Sequence, residues 1–209
     1  MRVEAILSAA LLPLVATYIV IMLLLFDDIR NVPHLQYLLV GPVAYGLGSI
    51  PWGYMLSRVV SGVDVRLHGS GSTGTTNVMR SSGLKIGIIV LLLDISKGVL
   101  AVVFANAVSN YSPGVVVVAG ILVVIGHNWP ITLKFKGGKG IATGSGATLV
   151  ILPEALVVGA AIFLIITMWR RYVSLGSLSS VVAVNLCLII FSGIGQLSVV
   201  YVWYGLAGA

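Results

Sequence analysis

Residues 84–108 read LKIGIIVLLLDISKGVLAVVFANAV. Past Lys85, the only ionisable side chains in this run are Asp94 and Lys97. A bilayer-crossing helix takes roughly 20 mainly apolar residues, and the run is long enough. It has no polar face of the kind a soluble amphipathic helix shows. Asp94 and Lys97 stand three apart and share one helix face. Mutual neutralisation would lower the cost of burying them but would not explain their presence. Charges inside a membrane usually mark function, and a cavity holding an anionic ligand would explain this pair.

The rest of the chain agrees with that reading. Of 209 residues, 58% are hydrophobic and 9% charged, against about 25% charged in an ordinary soluble domain. Apolar segments recur at 3–26, 35–60, 84–108, 114–128, 141–152, 154–169, 174–191 and 196–209. The fifth and sixth are parted only by Pro153-Glu154, where a tight turn is expected. The first is longer than a signal-peptide core and is read as a retained helix. The expected fold is therefore all-α, a polytopic integral membrane helix bundle of about eight transmembrane helices. No linker divides it, so residues 1–209 form a single membrane domain.

The net charge of +6 does not indicate nucleic acid, because the basic residues sit at helix ends. Arg58, Arg66, Arg80 and Lys85 flank one connection. Lys134, Lys136 and Lys139 occupy a second, and Arg170 and Arg171 a third. Alternating helices place all three on one side. The positive-inside rule makes that side the cytoplasm and puts both termini there. Cys187 lies alone in an apolar run, and the scattered histidines give no metal-ligand spacing, so no metal site is expected.

Four polar stretches interrupt the apolar pattern, all at the same end. Gly48-Ser49-Ile50-Pro51-Trp52-Gly53 puts proline inside a helix, which bends the backbone and brings Ser49 to the bend. Arg58 follows. A plain packing kink is the alternative. His68-Gly69-Ser70-Gly71-Ser72-Thr73-Gly74-Thr75-Thr76-Asn77 leads to Arg80. Its glycines could turn successive amides inward as an anion nest, with Arg80 as a fork for phosphate. The stretch matches G-x-G-x-x-G, the alternating Val63–Leu67 before it resembles a strand, and Asp94 follows at a suggestive spacing. A dinucleotide fold nevertheless needs an immediate helix and a parallel sheet, and no further strands are expected. The third stretch is Asp94-Ile95-Ser96-Lys97-Gly98. The fourth joins Gly126-His127-Asn128-Trp129-Pro130 to Phe135-Lys136-Gly137-Gly138-Lys139-Gly140. His127 could be a general base, an orienting partner or only a helix-end cap. Gly140 and Gly144 have small-residue packing spacing.

In order and spacing these stretches resemble the bacterial membrane-bound glycerol-3-phosphate acyltransferases that use acyl phosphate as donor, the PlsY family. The family's G-S-I-P-x-G is present at 48–53, and its glycine loop ending in arginine at 69–80. Its D-x-x-K-G stands at 94–98, and its G-H-x-x-P with F-K-G-G-K-G at 126–130 and 135–140. Ser72 stands for the family's usual asparagine and Thr75 for its alanine. Relative to the family's seven-helix core, residues 1–34 are an extra helix and loop, and 35–209 are the acyltransferase core. The family continues past its last helix into a segment with a histidine and an asparagine, whose roles fall on no residue here.

The resemblance implies transfer of a fatty acyl group from acyl phosphate to the 1-hydroxyl of glycerol 3-phosphate. The products are 1-acylglycerol 3-phosphate (lysophosphatidic acid) and phosphate, the first acylation of phospholipid synthesis. It implies Ser49, Arg58, Lys97 and His127 as catalytic residues. Substrate binding would fall on Gly69, Ser70, Gly71, Ser72, Gly74, Thr76, Asn77 and Arg80, and on Asn128, Gly137, Gly138, Lys139 and Gly140. Lys97 would take phosphate, and the acyl tail would lie between helices. Acyl phosphate is already activated, so no cofactor is implied. The His-x-x-x-x-Asp pair of other glycerolipid acyltransferases is absent: Leu39, Thr73 and Thr132 stand five residues after His34, His68 and His127. The implied setting is the bacterial plasma (inner) membrane with the site facing the cytoplasm. Its partners are membrane lipids and a soluble enzyme that forms acyl phosphate. An organic-phosphate transporter is the alternative, although transporters often show internal repeats and a midplane site.

Overall fold

The structure, a computed structural model, describes residues 32–208. The helix expected over 3–26 lies outside them. Among the described residues there is no strand. The α-helices are α1 (Pro33–Gly48), α2 (Trp52–Ser61), α3 (Thr75–Ser82), α4 (Leu84–Ser109), α5 (Pro113–Asn128), α6 (Ile141–Ile151), α7 (Pro153–Arg170), α8 (Val173–Gly193) and α9 (Val200–Gly208). Each expected span from residue 35 onward coincides with a helix or, for 35–60, with the broken pair α1 and α2. The chain is all-α and multi-pass, as its sequence indicates. Residues 84–109, 113–133, 153–170 and 173–193 are each long and apolar enough to cross a membrane.

Local chemistry sets the ends. Pro33, Pro113 and Pro153 open α1, α5 and α7, where a missing N–H costs nothing. The break between α6 and α7 falls at Leu152, one residue before the Pro-Glu pair. Asn110 and Arg171 end α4 and α7 in the left-handed region. The last helix starts at Val200 rather than near 196, because residues 194–199 form a turn.

In the core, α1 packs on α5 and α4, α4 on α6, α7 on α8, and α9 on α5 and α8. The interior is built from small and β-branched residues such as Val40, Ala44, Ala101, Val102, Ala119, Val123 and Ala147. Small residues let helices approach closely where lipid supplies no hydrophobic drive. A Cβ on Gly98 would strike the Thr143 carbonyl, and one on Gly146 the Ile95 carbonyl. These reciprocal contacts fix α4 against α6. The outer faces are the reverse of a soluble protein's. On α4, Ile88, Ile89, Leu92, Leu100 and Val103 are exposed, while Asp94 and Lys97 are buried. On α8, Leu178, Val182, Leu186 and Ile189 are exposed at helical spacing. Hydrocarbon outside and charge inside is the arrangement a bilayer requires.

Candidate active site

Pro51 does what the sequence suggests and more. The helix stops at Gly48 and restarts at Trp52, leaving the Gly48 and Ile50 carbonyls without helical partners. Lys97 supplies them: its Nζ donates to Gly48 O at 3.0 Å and to Ile50 O at 3.2 Å. It also lies 2.8 Å from His127 Nδ1 and 3.0 Å from Asp94 Oδ1. An ammonium has three protons and no acceptor. His127 Nδ1 therefore accepts, which puts the imidazole proton on Nε2. All three Lys97 protons are engaged by protein groups. The expectation that Lys97 takes phosphate directly does not match this arrangement. His127 Nδ1 stands 3.6 Å from Asp94 Oδ1, too far for a hydrogen bond.

The fourth stretch folds back over this cluster. Gly138 N donates to the His127 carbonyl at 3.0 Å, and Gly137 N to that of Asn128 at 3.1 Å. A Cβ on Gly138 would collide with His127 Nε2, and one on Gly137 with the His127 carbonyl. A Cβ at 137 would strike backbone, whereas one at 138 would force the His127 ring to move. Thr132 Oγ1 donates to Ser49 O at 2.8 Å, tying this turn to the helix break.

The glycine loop meets both. Thr73 N donates to Gly137 O at 3.4 Å, and a Cβ on Gly53 would strike the Thr73 carbonyl. Four stretches distant in sequence are thus joined by direct contacts, with Thr73 at one junction and Lys97 at the other. Residue type alone does not single out Thr73 or Thr132.

Within the loop, Asn77 acts as a hub. Its Nδ2 donates to the carbonyls of Val65 at 2.9 Å, His68 at 3.1 Å and Ser72 at 2.8 Å. Its Oδ1 accepts from Ser70 N at 3.1 Å. Its amide is spent on the loop itself. The open anion nest also needs correction. The amides of Ser70, Gly71, Thr73 and Gly74 are all engaged, by Asn77 Oδ1, His68 O, Gly137 O and Ser72 Oγ. Beside the Gly69 and Ser72 amides, the donors left over stand at the start of α3. Gly74 caps that helix without a side-chain bond, so the first-turn amides of Thr75 and Thr76 lack intrahelical partners. The loop does pass into a helix at once, as a dinucleotide motif would. The sheet is what is missing, and the strand-like 63–67 is a turn of 3-10 helix at Val65–Leu67.

Arg58, Arg80 and Lys139 are exposed. Arg66 forks onto Asp64, with Nε at 2.9 Å from Oδ1 and Nη2 at 2.7 Å from Oδ2. This hydrogen-bonded guanidinium lowers the Asp64 carboxyl to about 2, with a smaller pull from the charge of Arg58. Several buried polar atoms have no partner among the described residues: Ser49 Oγ, Thr75 Oγ1, Asn128 Oδ1 and Thr143 Oγ1. Such atoms are rare and mark places for a ligand or water.

Fold and site define a multi-pass helical membrane protein with a polar, cation-rimmed site at one end of its bundle. The sequence profile described as glycerol-3-phosphate acyltransferase matches residues 38–207. Glycerol-3-phosphate acyltransferase 2 of Moorella thermoacetica is 43% identical over 143 residues, 68% of this chain and 73% of that protein. Glycerol-3-phosphate acyltransferase 3 of Dehalococcoides mccartyi is 39% identical over 185 residues, covering 83% of this chain and 86% of the relative. The crystal structure of PlsY, an integral membrane glycerol 3-phosphate acyltransferase, in its glycerol 3-phosphate form, superposes with a TM-score of 0.75. It is 33% identical, and the match covers 82% of this chain and 84% of that one. The chain belongs to the glycerol-3-phosphate acyltransferase (PlsY) family, and is an acyltransferase of phospholipid synthesis.

Proposed function

We propose that this acyltransferase takes its acyl group from acyl phosphate and delivers it to the 1-hydroxyl of glycerol 3-phosphate at the cytoplasmic face of a bacterial plasma membrane. The hydroxyl oxygen forms a bond to the acyl carbon, and the acyl carbon–phosphate oxygen bond breaks. The hydroxyl proton leaves with the phosphate, and the products are 1-acylglycerol 3-phosphate and inorganic phosphate. The protein's task is to hold two anions together and to stabilise the developing oxyanion.

The observation that carries this reading is the set of unpartnered polar groups around the joined stretches. Ser49 Oγ stands at the helix break, in a segment pinned by Lys97. On this account it orients the acyl phosphate, together with Arg58. The Thr75 and Thr76 amides, at the positive end of α3, bind the phosphate of glycerol 3-phosphate with Arg80. Asn77 holds the loop that presents them. Lys97 and His127 position the break, and His127 serves as an orienter rather than a base, because its Nδ1 lone pair is occupied. The neighbour's crystallisation with glycerol 3-phosphate supports the acceptor.

The test is an assay of purified protein with acyl phosphate and labelled glycerol 3-phosphate. Labelled lysophosphatidic acid is expected, with Arg58→Ala nearly inactive. A folded protein that forms none contradicts the reading, and counterflow of glycerol 3-phosphate in liposomes would favour transport.

A further inference from the structure

Two side chains lock the end of α1 to the connection between α5 and α6, each reaching across to backbone on the other side. Tyr45, in the last turn of α1, donates its phenol proton to the Trp129 carbonyl at 2.9 Å. Thr132, in a turn of 3-10 helix at Ile131–Leu133, donates back to the Ser49 carbonyl at 2.8 Å. The Ser49 amide bonds in turn to the Tyr45 carbonyl at 2.9 Å. Tyr45, Ser49, Thr132 and Trp129 thus close a ring of contacts at the helix break.

The ring acts where the other contacts at the break stop. As far as Gly48, backbone packs on backbone: a Cβ on Gly48 would strike the Val123 carbonyl, and one on Gly126 the Tyr45 carbonyl. Lys97 takes the carbonyls of Gly48 and Ile50. The carbonyl between them, that of Ser49, goes to Thr132 instead. At the other end of the same peptide unit, Ile50 N reaches Leu47 O only at 3.3 Å, a long bond. Peptide units are planar and tilt as one piece, so Thr132 sets the tilt of this one. Ser49 is buried and its Oγ has no partner among the described residues. Its aim is therefore fixed through the backbone rather than by a bond of its own.

We infer that Thr132 is a positioning residue for Ser49, with Tyr45 holding the turn that carries it, and that the pair governs the rate of acyl transfer rather than the binding of glycerol 3-phosphate. The inference rests on the acyl-transfer reading above. There Ser49 orients the acyl phosphate, while the acceptor's phosphate is held elsewhere, by the start of α3 and Arg80. A misaimed Ser49 is felt in kcat, because it spoils geometry needed in the transition state. Each of the two hydroxyls has a single proton and gives it to a carbonyl, so neither donates a proton to the reaction. Thr132 is exposed, which lets its side chain be changed without opening the core.

The experiment measures kcat and the KM of each substrate for the full chain and for Thr132→Val, Thr132→Ser and Tyr45→Phe. Thr132→Val keeps the shape and loses the donor. It is expected to lower kcat about fivefold, the worth of one hydrogen bond, with KM for glycerol 3-phosphate unchanged. Thr132→Ser keeps the donor and should stay within about twofold of wild type. Tyr45→Phe reads the same ring from its other side and should lower kcat about threefold, again with that KM unchanged. Wild-type kcat in Thr132→Val, a loss in Thr132→Ser as large as in Thr132→Val, or a KM for glycerol 3-phosphate that rises as far as kcat falls overturns the inference while leaving acyl transfer intact. A wild-type protein that turns over no acyl phosphate overturns the acyl-transfer reading, and this inference with it.

Discussion

Lys97 Nζ lies 2.8 Å from His127 Nδ1 while bonded to both carbonyls freed where α1 breaks. One ammonium therefore couples the helix break, the buried Asp94 and the imidazole that backs the Gly137-Gly138 turn.

Replacing that ammonium should be costly twice over. Lys97→Met leaves Asp94 buried and unpaired, which typically destabilises by about 3–5 kcal/mol. The freed carbonyls would let Ser49 move, and a shift of about 1 Å can cost on the order of 100-fold in rate. Thermal unfolding and turnover in detergent check both. The double change Asp94→Asn with Lys97→Met should recover much of the stability and none of the activity.

Asn77→Asp tests the loop. The variant keeps an oxygen for Ser70 N but turns the other position from donor to acceptor, facing the carbonyls of Val65, His68 and Ser72. The loop should open, with faster amide exchange over 68–74. The KM for glycerol 3-phosphate should rise about tenfold or more, in line with a lost buried network. Unchanged exchange would contradict the hub role.

Gly138→Ala places a methyl against His127 Nε2 and should lower turnover by about 100-fold in protein that still folds. Gly46→Ala is the control, because a Cβ there meets nothing within 4 Å. Its activity should match wild type.

Asp64 gives a pH dependence of stability. Its folded carboxyl titrates at about 2, below the ordinary value of 3.8, chiefly through its hydrogen bonds to Arg66. A depressed acid stabilises the fold above its ordinary value and loses that contribution as pH falls towards 2. The stability gap between wild type and Asp64→Asn should be present at neutral pH and close in that acid window. Unfolding curves across pH measure it.

The membrane fold was legible from composition and spacing. Apolar runs such as 84–108 and 174–191 have one physical use, and the Pro153-Glu154 pair marked the turn between α6 and α7. Ser49 at a bend and the meeting of four polar stretches were legible for the same reason, since a bilayer leaves polar residues few places to go. The short α3 was not. Its sequence, Thr75–Ser82, has poor helix formers and lacks an apolar stripe, so it reads as loop until packing against α4 is seen. The engagement of Lys97 and Asn77 was also hidden. Residue type shows that a group can bind phosphate, but backbone carbonyls dozens of residues away, such as Gly48 O for Lys97, can claim its protons first.

The most direct measurement is the joint appearance of products. Purified protein given acyl phosphate and glycerol 3-phosphate should release inorganic phosphate and lysophosphatidic acid in equal amounts, and neither product when one substrate is withheld. Phosphate release without lysophosphatidic acid, or no release of either by folded protein, would contradict the account.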